Sequence, residues 1–312
     1  MSINPQDINV ALLAGGTSGE HEISQASGDG AQTALEEAGF KVTRLDPANK
    51  EDLKLLLDEP FDVVFLCLHG KGGEDGTIQG MLDLIGIPYT GSGVFASATA
   101  INKGRAKVMY KDAGIPIIPG VNLNVKDEVD VEAVKAVVGI PCVVKPATEG
   151  SSLGLRIVKE EEELPEALEY VFSVDENIVV EKFVAGTETT VAILGNEKLE
   201  ALPVIEIVPL AADTYDFESK YAPGGCEHVI PARIDDDITL KLQELAKKAH
   251  LALGCRGVSR TDFIIDEKGD PWILETNTIP GMTATSLLPD TARVAGYTFP
   301  ELCTKLVEYA ME

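Results

Sequence analysis

Short apolar runs alternate with amphipathic ones along the N-terminal part of the chain, the pattern of parallel strands buried on both faces and joined by helices. Residues 8–14 read as a buried strand, 23–38 as a helix closed by Gly39, and 41–45 as a strand. A short helix at 53–57 and a buried strand at 62–68 follow. These predict a doubly wound parallel-sheet α/β domain over residues 1–100. Two Gly-rich loops, Gly15-Gly16-Thr17-Ser18-Gly19 and His69-Gly70-Lys71-Gly72-Gly73, follow strand ends at the edge where such a sheet meets a ligand.

The pattern changes after Ser92, where one helical run is expected to reach Ala113 before the proline-punctuated stretch 115–119. A second, α+β module over 101–186 is read from strands at 142–145, 155–158 and 178–183, a Gly/Ser loop at 149–154 and an acidic helix at 164–172. The third module, 187–312, contains strands at 189–194 and 204–208, a loop at 211–225 and a helix at 238–253. Strands at 261–265 and 272–276 close it as a hairpin turned by Glu267-Lys268-Gly269-Asp270.

A chain of 312 residues suits two or three modules sharing a cleft. Its 26 basic and 51 acidic residues give a formal charge of −25, which repels nucleic acid and anionic bilayers, so neither is an expected partner. Against that background each Lys or Arg beside a Gly-rich loop is informative, and the acid surplus itself reads as solvated surface. Cys67, Cys142, Cys226, Cys255 and Cys303 show no C-x-x-C or zinc spacing, consistent with free thiols in a reducing cytosol. The apolar run at 8–14 has no basic flank and is too short for a signal peptide or membrane span, so a cytoplasmic location is expected.

The hairpin carries the strongest local chemistry. Asp262 and Glu275 on adjacent strands, with the amide of Asn277, offer hard oxygen ligands of the kind Mg²⁺ takes when it is shared with nucleotide phosphates. A surface charge pair is the alternative, but the flanking residues are apolar, and acids at the ends of buried strands need a metal or cationic partner. Lys145 ends an apolar strand just before Glu149-Gly150-Ser151-Ser152, where a point charge and loop N–H groups can meet a phosphate. This is not a Walker A loop, and standing alone it reads more simply as an ordinary hairpin with an exposed lysine. Glu181 and Glu188 bracket a strand end suited to adenine and ribose, or are simply solvated acids. His69 closes a buried strand, and Glu20 opens the first helix after its Gly-rich loop; a structural histidine and an acid favoured by the helix dipole are the plain readings.

Together the motifs resemble the D-alanine:D-alanine ligase family of the ATP-grasp superfamily, from about Val10 to Leu306. The resemblance rests on Gly15-Gly16-Thr17-Ser18-Gly19-Glu20, Leu68-His69-Gly70-Lys71-Gly72-Gly73-Glu74-Asp75-Gly76, Tyr89-Thr90-Gly91-Ser92-Gly93 and Lys145-Pro146 with Glu149-Gly150-Ser151-Ser152. It continues through Ser219-Lys220-Tyr221, Arg260-Thr261-Asp262 and Glu275-Thr276-Asn277-Thr278-Ile279-Pro280-Gly281-Met282-Thr283. It implies a two-part ATP-grasp fold after the N-terminal domain, and synthesis of D-alanyl-D-alanine for peptidoglycan from ATP and two D-alanines through a D-alanyl phosphate. It further implies that Lys103 and Lys145 hold ATP phosphates, Glu181 and Glu188 take ribose or adenine, and Val184 offers backbone to the base. Asp262, Glu275 and Asn277 would hold two Mg²⁺, with Mn²⁺ as a substitute. Glu20 is implied to bind the first D-alanine's ammonium with His69 at its carboxylate end. Arg260 and the Gly281 N–H would stabilise the oxyanion, and Ser286 and Lys220 would anchor the second carboxylate. Ser151 and Tyr221 would link with Glu20 across the closed lids, and a homodimer is expected.

Ile279 and Thr148 depart from the family pattern without touching that chemistry. Two other readings compete: a ligase making a D-alanyl ester with D-lactate, where resembling enzymes carry histidine in place of Tyr221, and a silent nucleotide-binding module. The intact set Arg260, Asp262, Glu275 and Asn277 argues against the second, since a binder needs no oxyanion stabiliser.

Overall fold

The computed structural model describes residues 3–150, 153–210, 226–283 and 285–312. The first apolar run is buried whole because its strand is central: β1 (Asn9–Leu13) lies between β2 (Lys41–Leu45) and β3 (Val63–Leu66), all parallel. Alternate residues of β1 feed two cores. Val10 and Leu12 pack with Ala31 and Leu35 of α1 (His21–Ala38) and with Leu302 and Leu306 near the C-terminus. Ala11 and Leu13 pack with Leu56 of α2 (Lys50–Asp58) and Ile78 and Leu82 of α3 (Thr77–Ile85). Both faces of the parallel sheet are thus covered, as the doubly wound reading requires.

The helical run after Ser92 is two helices, not one. α4 (Val94–Ile101) ends at Asn102, whose backbone is extended (φ −88°, ψ 96°) and whose side chain accepts the Arg105 N–H to begin α5 (Lys103–Asp112). Helical periodicity persists on both sides of this capping residue, so hydrophobic spacing alone does not reveal it. The break places Lys103, Lys107 and Tyr110 four and three residues apart on one face of a new helix.

Two antiparallel sheets follow. The first runs β4 (Gly120–Asn124), β7 (Asn177–Lys182), β5 (Cys142–Pro146), β6 (Arg156–Val158), backed by α6 (Val131–Val138) and α7 (Leu164–Val174) over Val134, Leu164 and Val171. The second orders β11 (Cys226–Val229), β10 (Ile205–Pro209), β8 (Gly186–Gly195), β12 (Gly257–Asp266) and β13 (Pro271–Asn277), with β9 (Glu200–Ala201) against β8. α8 (Asp236–Leu253) packs Leu242 and Leu253 against Val191, Ile193 and Phe263 of this sheet. α9 (Leu287–Val294) and α10 (Phe299–Ala310) then return to the parallel sheet, α10 supplying Leu302 and Leu306. α3, β4, α6, β11, α9 and α10 occupy stretches to which the sequence reading assigned no element. β4 alternates Val121 and Leu123, packed against the core behind it, with polar Asn122 and Asn124, a period-two signal only five residues long. Among the described residues no helix is long and apolar enough to cross a membrane.

α8 carries His250 in its last turn, fully buried, with Nδ1 2.8 Å from the Ser259 hydroxyl. Burial pushes its pKa down to about 4. Above the ordinary imidazole value of about 6.5 both folded and unfolded chains hold it neutral. Between there and about 4 only the unfolded chain takes up the proton, so this residue should withdraw about 3 kcal/mol of stability as pH falls through that window. Denaturation of the wild type and His250→Gln at pH 7 and pH 4 should show a smaller acid loss in the variant; equal losses would exclude the effect.

Candidate active site

The two antiparallel sheets face each other across a cavity of about 230 Å³ lined by Lys103, Lys145, Glu181, Val184, Glu188, Asp262 and Glu275. The rest of its wall is mostly apolar, with Ile118, Val143, Ile157, Phe183, Ile207 and Leu274, a slot suited to a flat base. A second cavity of about 430 Å³ opens between the parallel sheet and the hairpin, lined by Glu20, His69, Arg260, Asn277, Gly281 and Ser286. Asp262 and Glu275 line both. Every residue assigned to nucleotide or substrate that lies among the described residues is therefore on one wall or the other. Ser151, Lys220 and Tyr221 lie outside the described residues.

The shared wall depends on a bulge that takes one extra residue out of the alternation of β13. Asp262 pairs with Glu275 and Arg260 with Asn277, but Phe263 pairs with Ile273, leaving Leu274 as a bulge. Without it, strict alternation from buried Ile273 would turn Glu275 toward the core and Leu274 alone toward the cleft. With it, both Leu274 and Glu275 reach the cavity. Behind the hairpin, the Tyr110 hydroxyl donates to Thr276 Oγ1 at 2.8 Å, and Thr276 meets Thr261 at 3.1 Å, fastening α5 to both strands.

Each carboxylate here has a cation. Arg260 grips Asp262 with Nε and Nη2, both at 2.9 Å, and Thr190 Oγ1 donates to the same carboxylate at 2.5 Å. Lys103 Nζ lies 3.2 Å from Glu275 and donates at 2.8 Å to the Glu149 carbonyl, joining the hairpin to the Gly/Ser loop. Glu181, only 2% exposed, pairs with Lys145 at 2.6 Å on one oxygen and with Lys107 on the other. Lys107, absent from the sequence reading, has its pKa lowered by burial and by the charges of Lys145 and Lys103. Its signal was available: it lies one helical turn beyond Lys103.

On the substrate side, His69 Nε2 lies 3.1 Å from Ser27 Oγ. Burial, then the Arg260 charge, pushes the His69 pKa down to about 4, against a hydrogen bond to the Ile279 main chain, so the ring is neutral at pH 7. Glu74, quoted in a motif but given no role, lines the same cavity and accepts the Gly70 N–H at 2.9 Å. Burial and nearby Glu20 raise its pKa to about 8, although it also accepts from the Ile279 main chain. Any side chain at Gly281 would displace its neighbour, because a Cβ there would stand 2.7 Å from the Ser286 hydroxyl. That hydroxyl accepts the Thr283 N–H at 3.0 Å and pairs with Thr283 Oγ1 at 2.7 Å. His228 on the far wall, also missed, is held by Asp290 at 2.8 Å through Nδ1.

The donor set of Asp262, Glu275 and Asn277 fits a hard divalent cation whose other ligands are phosphate oxygens and water. Among the described residues no group of three or more His, Cys, Asp or Glu side chains gathers as a metal site.

Fold and cleft define an ATP-dependent ligase of the ATP-grasp class: paired antiparallel sheets around a nucleotide slot, with an acidic hairpin at the boundary with a second pocket. Family models described as D-ala D-ala ligase N-terminus and D-ala D-ala ligase C-terminus match residues 45–92 and 109–308, and the chain belongs to this family. The D-alanine–D-alanine ligase of Syntrophobacter fumaroxidans is 48% identical, covering 99% of this chain and 100% of its own. That of Desulforamulus reducens is 47% identical over 98% and 99%. The crystal structure of the Bacillus anthracis D-alanine–D-alanine ligase superposes with a TM-score of 0.85 at 30% identity, covering 97% of each chain, and its complex with ATP does so at 29%.

Two substitutions test the shared wall. Glu275→Gln should fold normally and lose most turnover, because an amide weakens the hold on a cation shared with the transferring phosphoryl group; wild-type kcat would remove Glu275 from that role. Arg260→Ala should lose on the order of 10²–10³ in kcat, as when one oxyanion donor is removed. A change in KM alone would make Arg260 a uniform binding group.

Proposed function

We propose that this chain joins two molecules of D-alanine into D-alanyl-D-alanine, with ATP converted to ADP and phosphate. The observation that carries this reading is the shared wall: Asp262 and Glu275 border both the nucleotide slot and the pocket containing Glu20, His69, Arg260 and Gly281. A phosphoryl group leaving one cavity arrives in the other.

A carboxylate is a poor acyl donor, so the first D-alanine's carboxylate attacks the γ-phosphorus and becomes an acyl phosphate as ADP departs. Lys103 and Lys145 hold the phosphates and Val184 meets the base, with Glu181 and Glu188 at ribose or adenine. Asp262, Glu275 and Asn277 would hold two Mg²⁺, replaceable by Mn²⁺, which when bound would supply charge neutralisation to the transferring phosphoryl group. Glu20 binds the first ammonium, and His69 sets its neutral ring beside the carboxylate end without adding charge. The second D-alanine, anchored by Ser286 and Lys220, attacks the acyl carbonyl with its amine. Arg260 and the Gly281 N–H take the tetrahedral oxyanion, which collapses as phosphate leaves. Acyl phosphates hydrolyse, so Ser151 and Tyr221, with Glu20, close the lids against water. The reading includes three domains at 1–100, 101–186 and 187–312, a homodimer, and a cytoplasmic enzyme supplying peptidoglycan precursors.

The product is the test. With ATP, Mg²⁺ and equal D-alanine and D-lactate at pH 7, the dipeptide should dominate, because Tyr221 is a neutral phenol that does not repel an incoming ammonium. Depsipeptide in excess, measured by mass spectrometry, overturns the specificity. Tyr221→His should raise the depsipeptide share as pH falls through the imidazole range.

A further inference from the structure

One face of α1 runs along the substrate pocket and then beneath the turn that carries Gly281. Glu20 caps the helix, Ile23 lines the pocket, and Ser27 and Gly30 follow at spacings of four and three. Ser27 is fully buried. Its Oγ accepts the main-chain N–H of Met282 at 3.3 Å and lies 3.1 Å from His69 Nε2. Gly30 makes this approach feasible, since a Cβ there would stand 2.7 Å from the Met282 carbonyl oxygen.

The directions of these bonds can be worked out. An amide N–H only donates, so Ser27 Oγ is the acceptor from Met282 and its own proton is free to go elsewhere. His69 bonds the Ile279 main chain in the sense that favours the charged ring, so the ring donates there, and with Nε2 facing Ser27 the donating atom is Nδ1. A neutral imidazole has one proton. With that proton on Nδ1, Nε2 is an acceptor, and the Ser27 hydroxyl donates to it. The Ile279 main chain is also bonded to Glu74, in the sense that favours the carboxylate, so there the amide donates.

We propose that Ser27 is a positioning residue for the ligase reaction, relaying the Met282 N–H to His69 Nε2 so that a closed ring of hydrogen bonds through Met282, Ser27, His69 and Ile279 fixes the turn bearing the Gly281 N–H. The turn is bound at both ends: Met282 by Ser27, and Ile279 by His69 and Glu74. The ring also fixes the His69 tautomer, so the imidazole at the first substrate's carboxylate end and the oxyanion donor keep one relative placement. The proposal rests on the ligase reading for its effect on rate, whereas the bonding pattern stands apart from it.

The experiment therefore has two arms. The chain has four histidines, so ¹⁵N-histidine labelling gives a spectrum that substitution of each can assign. In the wild-type protein without substrates His69 should carry its proton on Nδ1, and Ser27→Ala should move the Nε2 resonance toward that of an unbonded imidazole nitrogen. A proton on Nε2 in the wild type, or an unmoved Nε2 resonance in the variant, overturns the relay whatever the enzyme makes. In the second arm Ser27→Ala, a substitution compatible with a helix, should lower kcat roughly tenfold to a hundredfold through misplacement of the oxyanion donor, with KM for ATP unchanged. Wild-type kcat overturns the positioning role. The wild-type spectrum alone decides the relay should the variant fail to fold.

Discussion

Carboxylates withdrawn from water between two sheets must be matched by cations, and that constraint organises this molecule. Asp262 has Arg260, Glu275 has Lys103, and Glu181 has both Lys107 and Lys145. Glu181 is the buried case among them, where removing one partner typically costs roughly 3–5 kcal/mol because the other charge is stranded. In a chain with only 26 basic residues against 51 acidic ones, gathering four cations here concentrates positive charge where a polyanion has to be received. The surface can remain strongly negative because the sites that need cations have them individually.

α5 is the physical link through which this pairing reaches the fold. Lys103 and Lys107 reach Glu275 and Glu181 on different sheets, and Tyr110 reaches Thr276 behind the hairpin. A single helix face therefore sets the spacing of the two walls of the nucleotide slot. The parallel sheet contributes the other pocket through the loops following β1 and β3, and α10 returns to pack beneath it. The two cavities are built largely by separate sheets that meet at one hairpin.

Much of this was legible in the chain. The buried parallel strands announced themselves by unbroken apolar runs, and the hairpin by acids among apolar neighbours. The residues missed share a different character. Lys107 and Tyr110 share a helix face with Lys103 however the run after Ser92 is divided, but their partners Glu181 and Thr276 lie far along the chain. Ser27, Glu74 and His228 are polar groups on elements whose sequence only hints at their orientation, and their partners Met282, Ile279 and Asp290 lie far along the chain. Side chains that ligate or carry charge in short motifs can be read locally; those that hold a turn against a distant helix become visible only when the topology brings both together.

The bulge at Leu274 changes what kinds of sequence variation this hairpin can accept. Replacing the side chain at that position alters one patch of the apolar slot and leaves the strand alternation in place. Removing the residue would join Ile273 directly to Glu275 and leave a regular ladder on the same faces, with Ile273 inward, Glu275 toward the cleft and Thr276 inward beside Tyr110. Adding a residue is different in kind: unless it too is bulged out, Glu275 turns into the core and Thr276 toward the cleft, away from Tyr110. The hairpin is thus permissive to what occupies position 274, or to its loss, and intolerant of a longer strand.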